Sequence, residues 1–287
     1  MSGPARVGMV GGSGLYDLSA IADLREERVP TPFGDPSDAF LTGTLAGVPV
    51  AFLSRHGRGH RLSPSEINYR ANICGFKQLG CDALLSASAC GSLREEHAPR
   101  RAVIPDQFID RTRHRTDSFF GDGVVAHAGL ADPVCPALSQ ALEEGARQGG
   151  LDVHRGGTYV CMEGPQFSTR AESRLYRSWG ADIIGMTNLT EARLAREAEI
   201  CYASLALVTD YDCWREATED VSVETILAIL KDNAEAARRT LAAAVARIAP
   251  DRHCGCREAM RFAIITDRAA ITAAARERLR PIAGRYL

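Results

Sequence analysis

An α/β fold around a largely parallel sheet is what this sequence predicts, and three observations carry it. Strand and helix signals alternate along the chain instead of falling into blocks. Several strand-like apolar runs end in small-residue turns, as at Gly11-Gly12-Ser13-Gly14 and Cys90-Gly91-Ser92. No low-complexity linker or internal repeat divides the 287 residues, which favours one domain with a helical tail after Pro250. With 45% apolar and 24% charged residues, the chain has the composition of an ordinary globular protein.

The elements follow in order. Residues 6–10 form a short strand that runs into the first glycine-rich loop. Residues 40–45 and 48–54 flank Ala46-Gly47 and read as a hairpin. Ser63-Pro64-Ser65-Glu66 has the form of a capping box with proline at the first helical position, which predicts a helix to about Gly80. Residues 82–89 and 103–109 are strand candidates, the first one buried. The stretch 110–132 lacks periodicity and reads as a long loop, often a functional element.

A helix over 136–148 is closed by Gly149-Gly150. Strands at 159–162, 182–186 and 202–209 are separated by helices at 169–179 and 190–199. A long helix is predicted over 222–248, with Leu227, Leu230, Ala234, Leu241 and Val245 on one face. The tail should hold a helix near 269–279.

Composition also excludes function classes. A formal net charge of −2 gives no electrostatic footprint for nucleic acid or an anionic membrane. No secretory signal opens the sequence and no 18-residue apolar run could span a bilayer. The nine cysteines lack the framework spacing of small secreted domains, so reduced thiols in the cytoplasm are expected.

Four strand-end segments carry candidate chemistry. The first loop fails the dinucleotide fingerprint because Asp17 stands at the third glycine, yet it can still form an anion nest of backbone N–H groups or a plain tight turn. In Ser54-Arg55-His56-Gly57-Arg58-Gly59-His60, two arginines and two histidines suit an oxyanion, or else form a solvated basic loop. Ser86-Ala87-Ser88-Ala89-Cys90-Gly91-Ser92 lacks bulk and lets backbone approach a ligand. Thr209-Asp210-Tyr211-Asp212-Cys213-Trp214 either caps a following helix, recognises an amino-bearing heterocycle or donates a proton from a raised-pKa carboxyl. In an open sheet, ligands bind beyond the strand carboxyl ends, where all four segments fall.

The same segments belong to a longer series. Gly11-Gly12-Ser13-Gly14-Leu15, Thr31-Pro32-Phe33-Gly34 with Pro36-Ser37, Arg55-His56-Gly57-Arg58 with His60, and Asn68-Tyr69 with Ala71-Asn72 come first. Ala89-Cys90-Gly91-Ser92-Leu93 and Asp106-Gln107-Phe108-Ile109-Asp110-Arg111-Thr112 follow. Glu163-Gly164-Pro165 with Phe167-Ser168, Arg170-Ala171-Glu172-Ser173, Met186-Thr187 and the Thr209–Trp214 hexapeptide complete it. In this order, over about residues 6–248, the blocks resemble the 5′-methylthioadenosine phosphorylases of the purine nucleoside phosphorylase family.

The resemblance implies a single-domain purine nucleoside phosphorylase-like α/β fold, 1–287, with a mixed central sheet flanked by helices. It implies a catalytic core over about 6–248, a helical tail over about 250–287 and a homotrimer. Its phosphate site would be Ser13, Arg55, His56, Ser88, the Ala89 backbone and Thr187, with Ser13 and Ser88 replacing the more usual threonines. Met186 would lie against the ribose and Phe167 would face the base, with Asp210, Tyr211 and Asp212 in the block at the purine edge and Ser168 nearby. Val223, Ile226 and Leu227 would line an apolar 5′-methylthio pocket, while His127 and Ile265 would reach a neighbouring subunit's site.

The implied reaction is phosphorolysis of S-methyl-5′-thioadenosine, with inorganic phosphate as co-substrate and no cofactor. Asp210 would be the general acid toward N7, and aspartate there favours a 6-amino purine. A nucleosidase using water, a 6-oxopurine or methylthioinosine phosphorylase, and a non-catalytic nucleoside binder are the alternatives. Cys254-Gly255-Cys256 with His253 lacks a partner pair at finger spacing, so no metal is expected there; a tail with two thiols is the default reading, and a strained, redox-active disulfide the alternative.

Overall fold

The structure, a computed structural model, describes residues 6–12, 20–215 and 223–287. Its first half holds strands β1 (Arg6–Gly11), β2 (Ala22–Glu27), β3 (Phe40–Leu45) and β4 (Val48–Ser54), helix α1 (Tyr69–Gln78), then β5 (Cys81–Ser92), β6 (Ala102–Ile104) and β7 (Gln107–Arg111). Helix α2 (Pro136–Gly149), β8 (Val153–Arg155), β9 (Thr158–Met162), α3 (Arg170–Ser178), β10 (Ile183–Gly185), α4 (Asn188–Glu197) and β11 (Cys201–Asp210) follow. The chain closes with α5 (Val223–Val245) and α6 (Ala273–Ala283).

These strands form one mixed sheet in the order β2-β3-β4-β1-β5-β10-β9-β7, with β11, β6 and β8 branching from β5. The central pairings β1–β4, β1–β5 and β5–β11 are parallel, whereas β10 meets β5 antiparallel. Alternate side chains feed two cores, as a doubly covered sheet requires. Val7, Met9, Leu85 and Leu205 face Leu138, Leu142 and Leu241 of α2 and α5. Val10, Leu84 and Tyr202 face Ile73, Ala195 and Leu279 of α1, α4 and α6. Such large buried apolar side chains each contribute about 1.5–3 kcal/mol.

Local sequence explains most boundaries. Ala46 and Gly47 both take positive φ, the conformation a two-residue hairpin turn needs. Gly145 lets α2 approach α5 closely, since a Cβ there would stand 2.5 Å from the Thr240 carbonyl oxygen. Thr169 and Glu172 close a reciprocal capping box on α3.

Three expectations need correction, and two strands went unpredicted. The first helix begins at Tyr69, not near Ser63, because Asn68 caps it through Ala71 N–H and anchors to the Phe33 carbonyl. Glu66 does reach back to Ser63 N–H, but it closes only a turn. The strand predicted over 103–109 is two strands parted at Pro105, which has no N–H to give a ladder. The tail helix is capped by Thr272 and runs to Ala283, four residues later than predicted. Strands β2 and β8 gave no apolar signal because they are short and largely exposed.

The tail folds back on the body. Ile265 N–H donates to Val125 O and His127 N–H to Ala263 O, while Tyr286 and Arg285 both bind Glu199. No helix among the described residues is long and apolar enough to cross a membrane.

Candidate active site

The site begins as an interruption in the central ladder. On one edge, β1 pairs with β5 as far as Ser86, and β10 resumes at Gly91. β11 covers the opposite edge through Gly91, so residues 87–90 are open on the first edge alone. Arg55 Nη1 donates to Ala87 O across this opening at 3.1 Å. Strand alternation places the Ala89 N–H and C=O on the edge that Ala87 O faces. The carboxyl ends of β1, β4, β5 and β11 all lie at this level, because these strands are mutually parallel.

Arg55 forms the floor. It is almost wholly buried, and its guanidinium meets Glu191 through Nε at 2.5 Å and Nη2 at 3.3 Å. Nη2 also donates to Ser86 Oγ at 2.6 Å, and Ser86 and Tyr202 in turn donate to Glu191 Oε2, each at 2.9 Å. Burial opposes the Arg55 charge, but the Glu191 carboxylate outweighs it and keeps the guanidinium protonated. The fork expected to clasp an anion is therefore engaged by an internal carboxylate.

His56 stacks on His60 with ring centroids 4.2 Å apart. Its Nδ1 lies 2.8 Å from Leu62 O, an acceptor, so Nδ1 carries the proton. Burial and then the Arg55 charge lower its pKa to about 4. At neutral pH, His56 thus offers Nε2 as an acceptor instead of acting as a cation.

Two predicted hydroxyls do converge. Ser88 Oγ donates to Asn188 Oδ1 at 3.0 Å and Thr187 Oγ1 donates to the same oxygen at 3.2 Å. Asn188 is anchored through its amide nitrogen to Ser204 on β11. Ser13 lies outside the described residues.

On the far side stand the acids. Thr209 Oγ1 donates to Asp210 Oδ2 and the Asp212 N–H to Asp210 Oδ1, both at 2.7 Å. Burial holds the Asp210 carboxyl above its usual range despite these bonds. For Asp212, burial above all pushes the pKa up to about 6; Ser173 opposes the rise and the Asp210 charge adds to it. Asp212 Oδ2 is buried without a hydrogen-bond partner. A buried lone acceptor is costly, which favours either a proton on it or a donor from a ligand.

Met186 closes the sheet side, packed so tightly that a Cβ on Gly164 would fall 2.5 Å from its Sδ. Phe167 is 47% exposed at the rim. The Ser168 carbonyl accepts from Cys213 Sγ at 3.1 Å, tying this loop to the acidic turn. The Tyr211 hydroxyl donates to Glu95 O at 3.3 Å and its ring packs edge-on against Trp214. His127 and Ile265 sit together on the exposed tail pairing, with Ile265 63% exposed. Val223, Ile226 and Leu227 fall in the first turns of α5, but their side chains lie outside the described ones.

Two residues escaped the sequence reading. Glu191 looked like any acid of a helix; only its place among Leu189, Ala192 and Leu194 could have marked it as inward-facing. Arg115, in the long loop, has a side chain only 1% exposed, which binds Met186 O, Glu163 O and Thr190 Oγ1. A cavity of about 250 Å³ opens beside it, lined by Phe33, Ile67, Asn68, Tyr69 and His114 among others.

The sequence model of the phosphorylase superfamily matches residues 6–248. The S-methyl-5′-thioadenosine phosphorylase of Geobacter sulfurreducens is 59% identical over 282 residues, covering 98% of this chain and 99% of the relative. That of Koribacter versatilis is 56% identical over 282 residues, covering 98% and 97%. A crystal structure of a methylthioadenosine phosphorylase sourced from an antarctic soil metagenomic library has a TM-score of 0.93 at 48% identity, covering 97% of this chain and 99% of that one. The structure of a methylthioadenosine phosphorylase from Schistosoma mansoni in complex with adenine has a TM-score of 0.84 at 38% identity, covering 90% and 96%.

Proposed function

This chain belongs to the phosphorylase superfamily, and from that premise we propose that it splits S-methyl-5′-thioadenosine with inorganic phosphate into adenine and 5-methylthioribose 1-phosphate. The observation that carries the reading is the placement of half-buried Asp210 and buried Asp212 across Gly91 from the open edge of β5. A base and an oxyanion would each find matching groups there, on opposite sides of a sugar.

In this reading phosphate occupies the opening at residues 87–90. The hydroxyls of Ser88 and Thr187 rotate from Asn188 to donate to it, the Ala89 N–H adds a third donor, and His56 Nε2 accepts a hydrogen bond from its O–H. Arg55 and Glu191 hold the floor of the opening. A phosphate oxygen bonds to C1′ of the sugar as the C1′–N9 bond breaks, and the dianion stabilises the oxocarbenium-like transition state. Asp210, protonated, gives its proton to N7 of the leaving adenine, and Asp212 accepts from the exocyclic amine. The reaction draws on no cofactor.

The reading extends to the whole chain as one phosphorylase domain acting in the cytoplasm as a homotrimer, in purine and methionine salvage. The apolar exposure at Phe262 and Ile265, beside His127, supports a neighbouring copy covering the tail.

The test is adenine release from S-methyl-5′-thioadenosine in buffer with and without phosphate. Release that requires phosphate is expected. Equal release without phosphate would make the protein a nucleosidase, and cleavage of methylthioinosine alone would overturn the roles given to Asp210 and Asp212.

A further inference from the structure

At the opposite end of β11 from Asp210, four cysteines from three distant segments meet. Cys135 caps α2, Cys201 opens β11, and Cys254 and Cys256 belong to the tail turn. Their four sulfurs all lie within 4.8 Å of one another, and those of Cys201 and Cys254 are 3.4 Å apart. Cys135, Cys201 and Cys256 are buried and Cys254 is half-buried; all four are free thiols. We propose that these residues form a tetrathiolate site for a structural zinc ion, which pins the tail to the sheet.

Geometry comes first. Zinc bound by four thiolates at about 2.3 Å in a tetrahedron spaces its sulfurs by about 3.8 Å, within the spread these four already have. An all-sulfur tetrahedral set selects zinc or iron over oxygen-seeking cations. Thiols serving only as small core hydrophobes have no reason to converge four at a time from segments so far apart.

The surroundings suit a cluster of negative sulfurs. Cys135 stands directly before Pro136 at the start of α2, where the helix N-terminus favours a thiolate. The Arg252 side chain, 3% exposed, lies against Cys201 and reaches Asp82 at 2.9 Å. Binding needs neither oxidant nor reductant: Zn²⁺ replaces the four thiol protons, which go to solvent, and leaves a dianionic centre beside that arginine.

Its role would be architectural, because the nine steps of β11 between Cys201 and Asp210 span about 30 Å at about 3.3 Å each. What the site fixes is the tail that carries Ala263 and Ile265 onto Val125 and His127. The sequence concealed it: the Cys-x-Cys pair in the tail has no neighbouring pair at finger spacing, and its partners arrive only through the fold.

The experiment is metal analysis of the full chain, purified with reductant from zinc-supplemented medium. One zinc per chain is expected, falling to none in the Cys254→Ser/Cys256→Ser variant. As a readout that needs no variant, the wild-type protein is stripped with a chelator and titrated with Co²⁺. Uptake of one equivalent, with the intense thiolate-to-cobalt absorption of a tetrahedral sulfur site, is expected, and Cys254→Ser alone should alter that spectrum. Wild-type protein that holds no zinc and takes up no Co²⁺ after reduction would overturn the proposal, as would retention of stoichiometric zinc by the double variant.

Discussion

Asp210 Oδ1 accepts the backbone N–H of Asp212 at 2.7 Å, so the first acid of the pair builds the turn on which the second stands. Asp212 takes a φ of +51° there, a conformation that aspartate and asparagine tolerate better than most residues. Removing either carboxyl therefore probes chemistry and local geometry together, and asparagine is the replacement that keeps the second while changing the first.

Asp210→Asn should lower kcat on S-methyl-5′-thioadenosine by about 10²–10⁴-fold, the range for loss of a general acid. The nucleoside KM should change far less, since the amide fills the same volume. Unchanged turnover in steady-state assays would remove Asp210 from the reaction.

Asp212 gives a pH signature in stability. Its unfolded carboxyl titrates at about 3.9, while burial pushes the folded one up to about 6. The fold thus favours the neutral form: the contribution is complete below about pH 4 and is lost as pH rises through about 6. Asp212→Asn, which cannot ionise, should be more stable than the parent at pH 8 by on the order of 2–3 kcal/mol. That advantage should vanish by pH 4. Urea unfolding at the two pH values measures it; an equal difference at both would show that ionisation of Asp212 is not its source.

Ser88→Ala and Thr187→Ala each remove a hydroxyl that now rests on Asn188. If both hydroxyls turn to the anion, each variant should raise the KM for phosphate by about 10–100-fold, the worth of one hydrogen bond to a charged group. The nucleoside KM should move little. Phosphate saturation curves separate the two effects.

Glu191→Ala would leave Arg55 charged, buried and unpaired. Breaking a buried ion pair from one side costs about 3–5 kcal/mol. Denaturant unfolding should show a loss of that size, and Glu191→Gln, which preserves the contacts with Ser86 and Tyr202, should lose less.

Gly164→Ala would drive a methyl group into Met186 Sδ and strain a backbone held at φ +68°. The expected result is a raised nucleoside KM together with a stability loss of about 1–3 kcal/mol. Normal kinetics in a soluble variant would mean that Met186 does not touch the sugar.

Much of this molecule was legible before folding. Helix α2 announced itself by proline at its start and glycine after its end, and β11 by an apolar run broken only by Ser204. The acids at its tip were visible as two carboxylates after such a run, a pattern that fits a helix cap, recognition of an amino group or proton donation. What stayed hidden depends on long-range pairing. Glu191 and Arg55 are 136 positions apart, and their bond leaves no local periodicity to read. Pro105 looked like an interior residue of one strand until its flanks joined different neighbours. Helix α1 carried a capping signature at Ser63 that local chemistry honours only as a turn, since Asn68 has the better partners.

The opening along β5 has a consequence for how such a protein changes over time. Both of its limits are hydrogen-bonded ladders on a single strand, at Ser86 and at Gly91. No rotamer change can widen it; only a shift of pairing register could, and that moves in whole residues and turns every neighbouring side chain to the other face. The width of the opening is thereby a property of topology. Drift among the surrounding side chains can exchange one hydroxyl for another without retuning it.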